Sequence, residues 1–228
     1  MELEAKAVLE ILRQKGVTAL YHANTVQTAC TFLQQGFLMA RGVVEERGLV
    51  QTPQQSDESD RKHGIWYDVF VDAFDIHQKL RRVNAYGPVL FVLDVELLSR
   101  ASMASIWITK SNPASWDKKA LSNRYFSTIE EFRQQYRKHE PEQQFMLRHS
   151  GGLLRLAPHL LKIVVDDPEV RVNEVDTYSQ ALGAFKASAR GGGLGGVVME
   201  RRQCKGKCLC KEQYKAMSKK KFNRFFEL

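Results

Sequence analysis

The run Val89-Leu90-Phe91-Val92-Leu93 places five apolar residues in succession. A strand of that kind has to be buried on both faces, so whatever fold the chain adopts must enclose it from two sides. It follows the turn signal Tyr86-Gly87-Pro88. The other strand-like segments are short: Ala19-Leu20-Tyr21, Trp66 to Asp72, Ile106-Trp107-Ile108, Phe145 to Arg148 and Leu160 to Val165. Helical patterns interrupt them at irregular intervals. Leu3, Ala7, Val8, Ile11 and Leu12 form one stripe over residues 2–15, ended by Gly16. Ala29, Phe32 and Leu33 recur at helical spacing between a cap at Thr25 or Thr28 and a stop at Gly36. Ser127 or Thr128, with Glu130 or Glu131 nearby, starts a helix carrying Phe132 and Tyr136 on one face. A polar helix is expected near residues 174–187. Short strands mixed irregularly with helices point to an α+β fold rather than a regular βαβ series.

At 228 residues, 43% hydrophobic and 26% charged, the chain has the composition of a globular protein with one sizeable core, or one core and an appendage. It has no uncharged apolar run of membrane-spanning length, so no membrane role is expected. The first residues are charged and acidic, unlike a secretory signal. Three of the four cysteines crowd positions 204, 208 and 210, which is not a distributed disulfide framework. These features together lead us to expect a cytoplasmic protein.

The net charge of +8 is carried by the end of the chain. Residues 201–228 hold ten Lys/Arg and two Glu, and the remaining 24 basic and 24 acidic residues cancel. A basic tail on a neutral body suits nucleic acid or an acidic partner. Gly191-Gly192-Gly193-Leu194-Gly195-Gly196 lacks the Lys-Ser/Thr of a P-loop and reads as a hinge. The expected division is a body over 1–190 and a hinge with a basic, cysteine-containing tail over 191–228. Cys204-x3-Cys208-x-Cys210 supplies three soft ligands, but a structural zinc would need a distant His or Cys as the fourth.

Residues 43–64 show no periodicity and are expected to form a long loop that folds over a ligand. Asp68, Asp72, Asp75 and His77 fall within ten residues. Their spacing allows a divalent metal site, but Asp75 is equally placed to cap the helix near His77.

A histidine ends an early strand in Leu20-Tyr21-His22-Ala23-Asn24-Thr25. An arginine follows one helical excursion later in Gly36-Phe37-Leu38-Met39-Ala40-Arg41. The aromatic-Ser-Thr segment Tyr125-Phe126-Ser127-Thr128 comes next, and Glu142 stands ahead of Phe145-Met146-Leu147. This order resembles the ADP-ribosyltransferase superfamily, and within it the DarT-like nucleic-acid ADP-ribosyltransferase toxins, over roughly residues 17–170. The resemblance implies a split, mainly antiparallel sheet with peripheral helices. It implies NAD as cofactor, RNA or DNA as acceptor, and an antitoxin protein as a further partner. It also implies roles for individual residues. Glu142 would stabilise the oxocarbenium-like ribose and, with Arg41, form the catalytic pair. His22, Asn24, Thr25 and Arg41 would hold the cofactor, Arg41 at its pyrophosphate, while Tyr125 would stack on nicotinamide and Ser127 would support the site. No catalytic metal is called for.

Two rival readings stand beside this one. One is a nuclease using a metal on the Asp68–His77 group. The other is a nucleic-acid-binding module without chemistry.

Overall fold

The computed structural model describes residues 1–148, 150–204 and 206–227. The first strand, β1 (Leu3–Glu4), runs directly into α1 (Ala5–Gln14), whose stripe of Val8, Leu9, Ile11 and Leu12 is fully buried. Then come β2 (Ala19–Asn24), α2 (Val26–Gln35) and β3 (Phe37–Met39). Gly36 joins the last two in the left-handed region at φ 74°, as a helix-stopping glycine does. The polar stretch expected as a loop contains two short helices, α3 (Arg41–Glu46) and α4 (Asp57–Lys62). Beyond it lie β4 (Val69–Val71), α5 (Ile76–Leu80), β5 (Val89–Asp94) and β6 (Ser105–Ile108). Thr128 caps α6 (Ile129–Gln135) by accepting from the Glu131 amide at 3.1 Å, and the Glu131 carboxylate accepts from the Ser127 amide at 2.8 Å. The chain continues through β7 (Phe145–Leu147), β8 (Leu153–Arg155), β9 (Leu160–Val165), β10 (Arg171–Val172), β11 (Val175–Asp176) and α7 (Thr177–Gly191). It ends with β12 (Val198–Arg201), α8 (Cys210–Lys215) and α9 (Lys219–Phe226).

Two four-stranded sheets organise these elements, in the orders β1-β6-β7-β4 and β12-β9-β5-β2. Within them every pairing is antiparallel except β12 with β9. The expected α+β class with antiparallel sheets is therefore what the chain adopts. The facing edges of the two sheets are joined by a short backbone bridge. Tyr21 of β2 and Asp72, one residue past β4, exchange both backbone hydrogen bonds at 2.8 Å. Strand β5 lies inside its sheet between β9 and β2, and all five of its apolar residues are buried. Val89, Phe91 and Leu93 enter the main core, while Leu90 and Val92 pack with Ala19, Tyr21, Ala23 and Val164 on the other face. Burying a phenylalanine or leucine of this kind contributes roughly 1.5–3 kcal/mol.

The tail is not the appendage expected over 191–228. It adds β12 to the second sheet, and Cys210, Tyr214, Phe222, Phe225 and Phe226 belong to the same buried cluster as Phe32, Phe91 and Phe185. The glycines before it also have a packing role. A Cβ on Gly192 would lie 1.9 Å from the Leu33 carbonyl oxygen, so the close approach of α7 to α2 requires glycine there. Among the described residues, no helix is long and apolar enough to cross a membrane.

Because Phe225 is fully buried in the main core, Phe225→Ala is expected to lower unfolding stability in urea by about 3–5 kcal/mol. A loss near 0.5 kcal/mol or less, as at an exposed position, would mean that the tail is peripheral after all.

Candidate active site

A cleft opens where the two sheets meet, with a volume of about 940 Å³ that includes open solvent at its mouth. Its walls come from the end of β2, the start of α3, the segment around β4 and the residue preceding β7.

His22 enters this cleft from β2. Its Nδ1 lies 2.7 Å from the Phe70 carbonyl oxygen, which can only accept, so Nδ1 carries the proton. Nε2 is then a lone-pair acceptor and takes a hydrogen bond from the Asn24 amide at 3.3 Å. Burial holds the His22 pKa below its ordinary value, so the ring is neutral near pH 7. Phe32 and Phe91 pack against it at 5.8 and 6.3 Å between ring centroids. Asn24 is fixed in turn, because its Oδ1 accepts from the Thr25 amide at 2.9 Å. Behind it, a Cβ on Gly87 would lie 2.3 Å from the Asn24 carbonyl oxygen, so the turn before β5 can approach only as glycine.

Arg41 also lines the cleft, as the first residue of α3 rather than on a returning strand. It is already engaged. Its Nε lies 2.5 Å from Asp57 Oδ1 of α4 in an ion pair, and its Nη2 donates to Asp57 Oδ2 at 2.8 Å and to the Thr52 carbonyl at 3.1 Å. The polar stretch that carries Asp57 is pinned along the rim of the cleft. Gln54 donates to Asn24 Oδ1 at 3.4 Å and to the Tyr86 carbonyl at 3.1 Å, and Thr25 donates to Thr52 Oγ1 at 2.8 Å.

Three carboxyl groups line the cleft: Asp60, Asp68 and Asp72. Burial pushes the Asp60 pKa up to about 6, against a hydrogen bond from Ser56. Asp68 sits 3.2 Å from the Arg148 guanidinium. Asp72 is more strongly perturbed than Asp60. Burial raises it from 3.8 to about 7, opposed by a hydrogen bond from Gln144. The sheet register explains that contact. Val71 pairs with Phe145, so the next residues out, Asp72 and Gln144, stand opposite each other at the seam. Asp72 and Tyr86 are also close enough that the carboxylate helps burial raise the Tyr86 pKa to about 12.

The chain thus brings His22, Asn24 and Arg41 together, but the described residues lining the cleft do not include Thr25, Glu142, Tyr125 or Ser127. Thr25 is fully buried behind the cleft wall. Tyr125 is a core residue, wedged edge-on against Trp107 and Trp116 at 4.9 Å each. Ser127 is exposed at the start of α6. The Glu142 side chain is half exposed and 3.7 Å from Lys119, while its carbonyl accepts from Thr109. Gln144, two residues on, takes the inward position. The Asp68–His77 group also divides. Asp68 and Asp72 face the cleft, whereas Asp75 caps α5 and pairs with Arg202, and His77 turns to Asp166. No protein-family model and no curated protein matches the chain.

The Asp72 carboxyl makes stability depend on pH. Its folded pKa of about 7 lies above the unfolded 3.8, so the folded chain keeps a proton that the unfolded chain releases in between. The associated stability is complete below about pH 4 and is lost as pH rises through about 7. Asp72→Asn is neutral throughout. It is expected to melt above the unsubstituted protein at about pH 8 and close to it at about pH 4, read by circular dichroism. Asp60 titrates alike in both proteins and cancels. An equal shift at both pH values would mean that ionisation of Asp72 is not the cause.

Proposed function

We propose that the cleft binds NAD and that the protein is an ADP-ribosyltransferase acting on nucleic acid. The observation that carries this reading is the convergence of a neutral acceptor histidine, an arginine and a buried carboxyl–amide pair on one seam between two antiparallel sheets. NAD supplies an ADP-ribosyl group on a nicotinamide leaving group. His22 Nε2 would accept from a ribose hydroxyl in place of the Asn24 amide. Arg41 would hold the pyrophosphate once Asp57 gives way, since a bidentate guanidinium fits phosphate as well as it fits carboxylate. The reading therefore makes Asp57 a stand-in for an anion.

The carboxyl role that the resemblance gave to Glu142 goes, on this reading, to Asp72, held by Gln144. Near pH 7 Asp72 is poised to take a proton from the acceptor group, the condition under which a general base works best. As a carboxylate it also favours positive charge developing beside it.

The acceptor side is supported by charge. In the tail, Arg201 pairs with Asp167, Arg202 with Asp75 and Asp166, and Lys211 and Lys215 with Glu169. Lys219, Lys220 and Lys221 of α9 stay exposed while Phe222, Phe225 and Phe226 point inward. A lysine face on a helix anchored in the core suits a phosphate backbone.

Labelled NAD incubated separately with RNA, DNA and protein tests the reading. Label transfer to nucleic acid is expected. His22→Ala should weaken NAD binding about tenfold, the loss of one hydrogen bond to a buried group. Asp72→Asn should slow transfer a few hundredfold with NAD binding largely kept, and Glu142→Gln should change either little. Transfer by the unsubstituted protein should rise with pH through about 7. An unsubstituted chain that neither binds nor consumes NAD would overturn the proposal. Transfer lost in Glu142→Gln but kept in Asp72→Asn would return the catalytic role to Glu142.

A further inference from the structure

The three clustered cysteines find their fourth partner far away in sequence. His77 of α5, Cys204, Cys208 and Cys210 have ligand atoms that all lie within 4.8 Å of one another. His77 Nε2 is 3.7 Å from Cys204 Sγ and 3.4 Å from Cys208 Sγ, and the sulfurs of Cys204 and Cys210 are 3.4 Å apart. In a tetrahedral zinc site with Zn–S near 2.3 Å and Zn–N near 2.0–2.1 Å, neighbouring ligand atoms stand about 3.5–3.8 Å apart. Three of the six ligand pairs have close to those spacings, and the others lie within 4.8 Å. The geometry points to a structural zinc site with a Cys3His ligand set, built from α5, the segment that joins β12 to α8 and the first residue of α8.

The surroundings of His77 favour the same conclusion. Nε2 faces the sulfurs, and Nδ1 lies 2.9 Å from the Asp166 carboxylate, with both side chains 2% exposed. A zinc-bound imidazole is typically oriented by such a carboxylate on its second nitrogen. Asp166 is held in turn by Tyr214, whose hydroxyl donates to it at 2.6 Å, and by Arg202, which also reaches Asp75. One end of the imidazole is thus fixed by a hydrogen-bonded carboxylate network, and the other is aimed at three thiols. Four protein ligands leave no open coordination position, which marks a structural site rather than a catalytic one. Its effect is to tie the end of the chain to α5 across more than a hundred residues of sequence, beside the backbone bond from Leu209 to the Arg81 carbonyl. The site does not depend on the NAD reading.

A disulfide between Cys204 and Cys210 is the competing chemistry, but their 3.4 Å separation is well beyond a bond of about 2.05 Å.

Elemental analysis of the full chain purified without chelator is expected to give one zinc per molecule. Cobalt(II) added to the stripped chain should produce the visible absorption of a tetrahedral thiolate centre. Cys208→Ser and His77→Gln are expected to weaken zinc binding about 100-fold or more in competition with a chromophoric chelator. Asp166→Asn should weaken it about 10–100-fold. Cys30→Ser should not change it, since Cys30 lies outside the cluster. A readout on the unsubstituted chain covers the case where a variant fails to fold. Cys204 is exposed, yet with zinc bound it should resist native-state alkylation together with Cys208 and Cys210 until chelator is added. Metal-free protein without cobalt bands, in which Cys204 alkylates equally fast with and without zinc, would overturn the proposal. So would a chain two hydrogens lighter in mass, carrying a Cys204–Cys210 disulfide.

Discussion

The paired backbone hydrogen bonds between Tyr21 and Asp72, with the bond from His22 to the Phe70 carbonyl beside them, hold the two sheets to one another, and the cleft lies along this seam. The residues beside it, His22 on one strand and Gln144 across from Asp72 on another, face a shared space. Buried amides need partners, so the bridge cannot slip by one residue without stranding polar groups and reversing which side chains face the core. Packing on both sides makes slippage costlier still. Phe91 and Phe32 press on His22 from the core, and Gly87 lets the turn before β5 close against Asn24.

Charge in the cleft is arranged around one satisfied pair and several strained acids. Arg41 and Asp57 neutralise each other through two contacts, which keeps the polar stretch over the rim. Asp60 and Asp72 have no such partner, and burial raises their pKa values to about 6 and about 7, so that Asp72 keeps its proton for about half the time near pH 7. A group kept near neutrality at pH 7 inside a cleft is costly for stability, and functional sites are where such costs concentrate.

Much of this was legible from local chemistry. Val89 to Leu93 announced a strand buried on both faces, Gly36 stopped α2, Asp75 capped α5, and Thr128 with Glu131 opened α6. His22 at a strand end and Arg41 after one helical excursion, two positions readable in the sequence, do line one cleft. What local pattern could not supply was register and long-range packing. Gln144 outranks Glu142 in the cleft only because β7 pairs with β4 so that Asp72 faces Gln144, and a turn at Pro141 carries Glu142 outward. Tyr125 reads in the sequence as free to stack on a ligand, but Trp107 and Trp116 pack edge-on against it in the core. The glycine cluster read as a hinge because flexibility and close approach use the same residue, and only the Leu33 carbonyl distinguishes them. The cysteines lacked a fourth ligand for the same reason, with His77 lying on another element.

Hydrogen–deuterium exchange with and without NAD tests the seam as a binding site most directly, because it reads every segment of the unsubstituted chain at once. Added NAD is expected to slow exchange in the peptides spanning residues 19–25, 50–60 and 69–73, which meet at the bridge and the rim, and to leave α9 unchanged. Protection confined to other segments, or none at saturating NAD, would contradict the assignment of the cleft.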